Sequence, residues 1–111
     1  MSDHFIERNG RLCRLVMTGD LTASNVPGVQ AALKAELDRG VDELAFDLEQ
    51  TMMIDSSGIG LLIAAHNSLA RTQGKLRVRN VSPELLRLLQ SMRLVDRLNV
   101  TGKANSEVTC G

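Results

Sequence analysis

Short apolar runs with a two-residue period alternate along this chain with longer stretches whose apolar residues recur every three or four positions, and that alternation leaves few architectures open. Residues 5–7 and 12–18 read as strands, and Asn9-Gly10 between them favours the positive backbone angles of a tight hairpin turn. Val26, Val29, Leu33 and Leu37 then share one helical face, with Pro27 in its first turn and Gly40 at its end. Residues 43–48 alternate again and set Leu44, Phe46 and Leu48 on one side of a strand. A second helix is predicted from Ser56 or Ser57 to about Thr72, on the stripe Ile59, Leu62, Ile63, His66, Leu69 and Ala70, with Gly74 as its stop. Residues 75–79 form the next strand. Ser82-Pro83-Glu84 then opens a third helix with a capping hydroxyl, a first-turn proline and an acid near the positive helix end. Leu85, Leu88, Leu89 and Met92 are its expected buried face, and residues 97–101 a last short strand.

The order is therefore ββαβαβα(β), and strands joined through helices must cross over and lie parallel. The predicted fold class is α/β: a sandwich of a mixed, mostly parallel β-sheet with helices packed on it. Residues 1–101 are expected as a single domain and 102–111, which lack periodicity, as a flexible C-terminal tail. With 111 residues and 43% apolar side chains, the chain can build a core without metal or disulfide staples.

Composition removes several function classes. Thirteen Lys and Arg balance thirteen Asp and Glu, so there is no electrostatic footprint for direct nucleic-acid binding. With no Trp or Tyr and two Phe, aromatic stacking of bases or sugars is poorly supplied. Cys13 and Cys110 stand alone, without a second Cys or a His at metal-ligand spacing, and point to a reducing cytoplasm. Charges at Asp3, Glu7, Arg8, Arg11 and Arg14 interrupt what a secretory signal would need, and the apolar run at residues 59–65 is far short of a membrane span. A soluble cytoplasmic protein without membrane insertion is expected, and no residue pattern calls for a cofactor or a metal.

Chemistry concentrates in the turn after the 43–48 strand. Asp55-Ser56-Ser57-Gly58-Ile59-Gly60 places an acid, two hydroxyls and two glycines where a helix begins. Unpaired backbone N–H groups and the positive end of the helix dipole favour an anion there, including a phosphate on one of the chain's own serines. The plainer alternative is that Asp55 or a serine only caps the helix and the glycines only allow close packing. An acid–nucleophile–base reading of Asp55, Ser57 and His66 fails on geometry. Ser57 and His66 are nine residues apart on one helix, about 13 Å along its axis. Gly58-Ile59-Gly60 lacks the third glycine of a dinucleotide fingerprint and the Lys of a P-loop. Met52 and Met53 fit either loop packing or an adaptable partner contact.

This turn, preceded by Phe46-Asp47-Leu48 and followed by an apolar helix, resembles the signature of STAS-domain anti-sigma factor antagonists. Gly19-Asp20-Leu21 is similar to the family's Gly-Glu-Leu-Asp strand end, and Val81-Ser82-Pro83 before a Leu-rich helix to its third helix. The likeness spans residues 4–101. It implies a partner switch rather than an enzyme. The unmodified antagonist binds an anti-sigma factor that is also a serine-protein kinase of the histidine-kinase-like ATPase type. That kinase phosphorylates the second serine of the motif, here Ser57, and a PP2C-type serine phosphatase reverses it. The resemblance also implies a partner-binding set of Asp20, Met53, Asp55, Ser56, Ser57 and Gly58. One departure stands out: the acid that usually follows Gly-Glu-Leu falls on Thr22. The family also includes scaffolds and regulatory subunits of stress-sensing complexes and lipid transporters, which is the alternative role.

Overall fold

The computed structural model describes residues 3–103. The elements are β1 (His4–Asn9), β2 (Leu12–Met17), α1 (Val26–Asp38), β3 (Glu43–Asp47), α2 (Ser56–Ala70), β4 (Lys75–Val81), α3 (Pro83–Ser91) and β5 (Val100–Gly102). They build one five-stranded sheet in the order β1-β2-β3-β4-β5. The first pair is antiparallel, turned by Gly10 at φ 63°, and the rest are parallel. The predicted order of elements is the observed one.

Each helical connection steps one strand in the same direction. Because such crossovers are right-handed, all three helices fall on one face of the sheet. Burial follows this. Cys13, Leu15 and Met17 of β2, Leu44 and Phe46 of β3, and Leu76 and Val78 of β4 line the covered face and are buried. The register aligns Leu15 with Phe46 and Phe46 with Val78 into a continuous apolar row. The opposite face carries an ion-pair ladder instead: Arg14 bridges Glu7 and Asp47 at 2.7 Å each, and Arg77 meets Glu43 at 2.8 Å. Asp47 is buried, which pushes its carboxyl up. The Arg14 guanidinium, the Asn80 side chain and the Glu49 N–H outweigh that and hold it below the usual range.

At the amino end of the parallel strands, Arg8 closes α1. Its Nε pairs with Glu36 Oε1 at 2.7 Å, while its other nitrogens donate to the carbonyls of Glu36 and Gly40. The cation meets the negative end of the helix, where the Glu36 carbonyl also accepts the Arg39 N–H.

Four expectations need correction. In α2 the buried residues are Gly58, Ile59, Leu61, Leu62, Ala65 and Leu69, whereas Ile63 and His66 are half-buried and Ala70 is exposed. Leu61 and Ala65 instead face α1, lining a groove with its Leu33 and Leu37. In α3 Leu85 and Leu89 are buried but Leu88 and Met92 are exposed. The chain leaves α2 through Gln73, at φ 64°, and Gly74 serves for space: a Cβ there would stand 2.9 Å from Leu69 Cδ2 and 3.2 Å from the Val41 carbonyl. Finally, β5 begins at Val100. Residues 95–99 wind into turns, with Leu98 N–H on the Leu94 carbonyl and Asn99 left-handed at φ 53°. Gly102, assigned to the tail, thus closes β5, and residues 104–111, Cys110 among them, lie outside the described residues. Among the described residues no helix is long and apolar enough to cross a membrane.

Candidate functional site

Two loops meet at the carboxyl end of the parallel strands, 18–25 after β2 and 48–55 after β3. Parallel sheets place binding loops there because helix N-termini converge at that end. The loops are joined as if the sheet continued through them. Leu21 and Ile54 form an isolated parallel bridge, in which Leu21 N–H donates to the Met53 carbonyl at 3.0 Å and Asp55 N–H to the Leu21 carbonyl at 3.3 Å. Both bridge residues are buried. Thr51, also buried, donates its hydroxyl to the Gly19 carbonyl at 2.9 Å.

Two carboxylates finish the join, each reaching into the other loop. Asp20 Oδ1 accepts the N–H of Met52 at 2.9 Å and of Met53 at 3.2 Å. Asp55 Oδ2 accepts Ala23 N–H at 2.9 Å, and its Oδ1 caps α2 by accepting Gly58 N–H at 3.0 Å. The Ala23 and Gly58 amides hold the Asp55 carboxyl below the usual carboxylate range, so it is an anion at neutral pH.

The predicted residues Asp20, Met53, Asp55, Ser56 and Ser57 therefore come together on one surface, whereas Gly58, expected with them, is buried beneath it. Asp55 is the N-cap, which leaves both serines uncommitted to capping. Ser56 and Ser57 occupy the first turn of α2 and are exposed. Gly58 is buried directly against the first loop: a Cβ would stand 2.2 Å from the Leu21 carbonyl and 2.9 Å from Ile54 Cγ2. Only a glycine lets α2 start this close to the bridge. Gly60, its motif partner, has nothing within 4 Å of a Cβ. The packing explanation therefore holds for one glycine and not for the other.

Met52 and Met53 are 84% and 59% exposed, which removes loop packing as their role. Met52 also lines a groove of about 650 Å³ with Glu49, Pro83 and Lys103, extending the surface to the start of α3. The width of this surface could not be read from the motif, because Ser82 and Pro83 reach it through the fold. Thr22 supplies no carboxylate, and its carbonyl turns the chain into α1 by accepting Asn25 and Val26 N–H. His66 is nine residues beyond Ser57 on the same helix and half-buried. Among the described residues no group of three or more His, Cys, Asp or Glu side chains is placed to hold a metal. The arrangement offers two exposed hydroxyls at a positive helix end, two exposed thioethers and a fixed backbone. Those are the means to bind a partner and to accept a modification.

Comparison with known proteins shows the family and the fold. The family model for the STAS domain matches residues 6–106. The anti-sigma-B factor antagonist of Listeria monocytogenes is 30% identical over 103 residues, covering 89% of this chain and 90% of that protein. The anti-sigma-B factor antagonist of Bacillus subtilis is 22% identical, covering 93% and 94%. The chain belongs to the STAS-domain family of anti-sigma factor antagonists. Solved structures share the fold. A putative anti-sigma factor antagonist from Thermotoga maritima superposes with a TM-score of 0.84 at 15% identity, covering 96% of this chain and 92% of that one. The Bacillus cell fate determinant SpoIIAA in its phosphorylated form gives 0.73 at 20% identity, with 96% of each chain covered.

Proposed function

We propose that this chain is an anti-sigma factor antagonist. In this reading it binds an anti-sigma factor that doubles as a serine-protein kinase of the histidine-kinase-like ATPase type, and phosphorylation of Ser57 releases it. A PP2C-type serine phosphatase resets the switch, in the cytoplasm, and the chain itself is a binding module rather than an enzyme. The observation that carries the reading is the division of labour at the α2 N-terminus, where Asp55 takes the cap and Ser57 is left exposed.

The physics of release follows from that placement. A phosphoryl group adds about −1.5 to −2 charges and three acceptor oxygens. The α2 N-terminus stabilises this charge within the free chain, so the fold survives modification. A partner surface fitted to a neutral hydroxyl would instead desolvate an anion, next to the already ionised Asp55. Such juxtapositions cost several kcal/mol, and about 2.7 kcal/mol is a hundredfold in affinity. No refolding is needed.

A pull-down from native cytoplasm with wild-type, Ser57→Ala and Ser57→Asp bait tests this. Wild type and Ser57→Ala are expected to capture an ATPase-type kinase, Ser57→Asp to lose it, and only wild type to acquire phosphate. Phosphate at Ser56 would reassign the acceptor. Equal capture of a transporter ATPase or another STAS chain by all three baits would replace the switch with the scaffold role.

A further inference from the structure

Of the five methionines, Met17 is fully buried in the core, while Met52 and Met53 are the most exposed large apolar side chains among the described residues. Their backbone is not loose. Both N–H groups are held by Asp20 Oδ1, and the Met53 carbonyl accepts Leu21 N–H. A fixed backbone thus presents two flexible thioethers to solvent, on the loop that leads within four residues to Ser57. Exposing two adjacent large apolar side chains forgoes the free energy of burying them, and that is recovered when a partner covers them. Methionine suits such a contact because it is unbranched and polarisable.

We propose that Met52 and Met53 are a paired oxidation site through which a hydroperoxide weakens partner docking, a second control beside Ser57; the docking half of this rests on the antagonist reading above. The chemistry is a two-electron oxygen transfer. A sulfur lone pair attacks one peroxide oxygen, the O–O bond breaks as the S–O bond forms, and the other oxygen leaves as water, or as alcohol from an organic hydroperoxide. Sulfur is oxidised to the sulfoxide and the peroxide is reduced. The product is a polar, strongly accepting group on the same stem. Buried against an apolar partner surface without a donor, it carries the penalty of an unsatisfied polar atom, so docking weakens where the thioether favoured it. Both side chains stand in solvent in the free chain, and the fold is indifferent to the change.

The experiment treats the purified full chain with hydrogen peroxide, then with a thiol reductant, which reverses sulfenate and disulfide at cysteine and leaves sulfoxide in place. Peptide mapping by mass spectrometry is expected to show Met52 and Met53 each gaining one oxygen well before Met17, with the thermal midpoint unchanged. Affinity for the kinase captured by wild-type bait is expected to fall tenfold or more. A Met52→Leu/Met53→Leu chain, compared with its own untreated affinity, is expected to lose none on treatment. Unchanged affinity with both sulfoxides in place, or the same loss in the double variant, overturns the docking effect. Oxidation of Met17 at an equal rate overturns the site. Failure of untreated wild type to capture any kinase is the separate failure of the antagonist reading.

Discussion

At the amino end of the parallel strands the molecule is closed by a cation on carbonyls, and at the carboxyl end by anions on amides. Arg8 gathers the Glu36 carboxylate and the Glu36 and Gly40 carbonyls, with both side chains of the ion pair largely buried. Asp20 and Asp55 instead gather the N–H groups of Met52, Met53, Ala23 and Gly58, among side chains that stay in solvent. The crossover geometry dictates the signs: every helix points its positive end at the strands' carboxyl edge and its negative end at the other. Burial decides the use. One end is sealed for stability, whereas the other is held by buried Leu21, Thr51 and Ile54 and by carboxylates on backbone amides, which leaves Met52, Met53, Ser56 and Ser57 exposed.

The largest effect expected to test that contrast lies at Gly58. Gly58→Ala drives a Cβ into the Leu21 carbonyl, and denaturant titration should show a loss of about 3 kcal/mol. Gly60→Ala meets open space and should be neutral or stabilise by up to about 1 kcal/mol. An equal loss at both positions would mean that the first turn of α2, rather than its contact with the bridge, sets the requirement.

Next come the two closures themselves. Arg8→Ala removes a charged donor from four acceptors, the Glu36 carboxylate and the Gly10, Glu36 and Gly40 carbonyls, and should cost about 2 kcal/mol, with kinase capture intact. Asp20→Ala should cost about 1 kcal/mol and weaken capture, because it frees the amides of Met52 and Met53. If Arg8→Ala impaired capture as strongly as Asp20→Ala, the two ends would not be functionally separate.

The smallest effect is in acid. Asp47 and Asp55 both have carboxyls held below their unfolded value, so their stabilisation is complete above about pH 4 and is lost as pH falls through the lower native value. Unfolding free energy measured between pH 5 and pH 2, about that carboxylate range, should decline, and Asp47→Asn should flatten the decline.

The order of elements was legible because each segment buries one face, and a buried face writes its period into the sequence. Where that condition fails, so does the reading. Residues 85–92 are apolar on several sides, so composition did not reveal that Leu85 and Leu89 face inward while Leu88 and Met92 face out. The start of β5 was misplaced because Asn99 adopts a left-handed angle that few residues advertise. At the site, the motif set both glycines at a helix start and treated them alike, although only Gly58 packs against the other loop. The ties from Asp20 to Met52 and Met53 were invisible, since they join a side chain to backbone amides 32 and 33 residues away.

The Leu21–Ile54 bridge also bears on how fast a partner comes and goes. Loops sewn together in this way need little ordering when a partner arrives, so the usual entropic toll on loop-mediated association is small. Encounter should then proceed at a similar rate whether or not Ser57 carries phosphate, and the two states would differ in residence time, the chain leaving its partner sooner once modified.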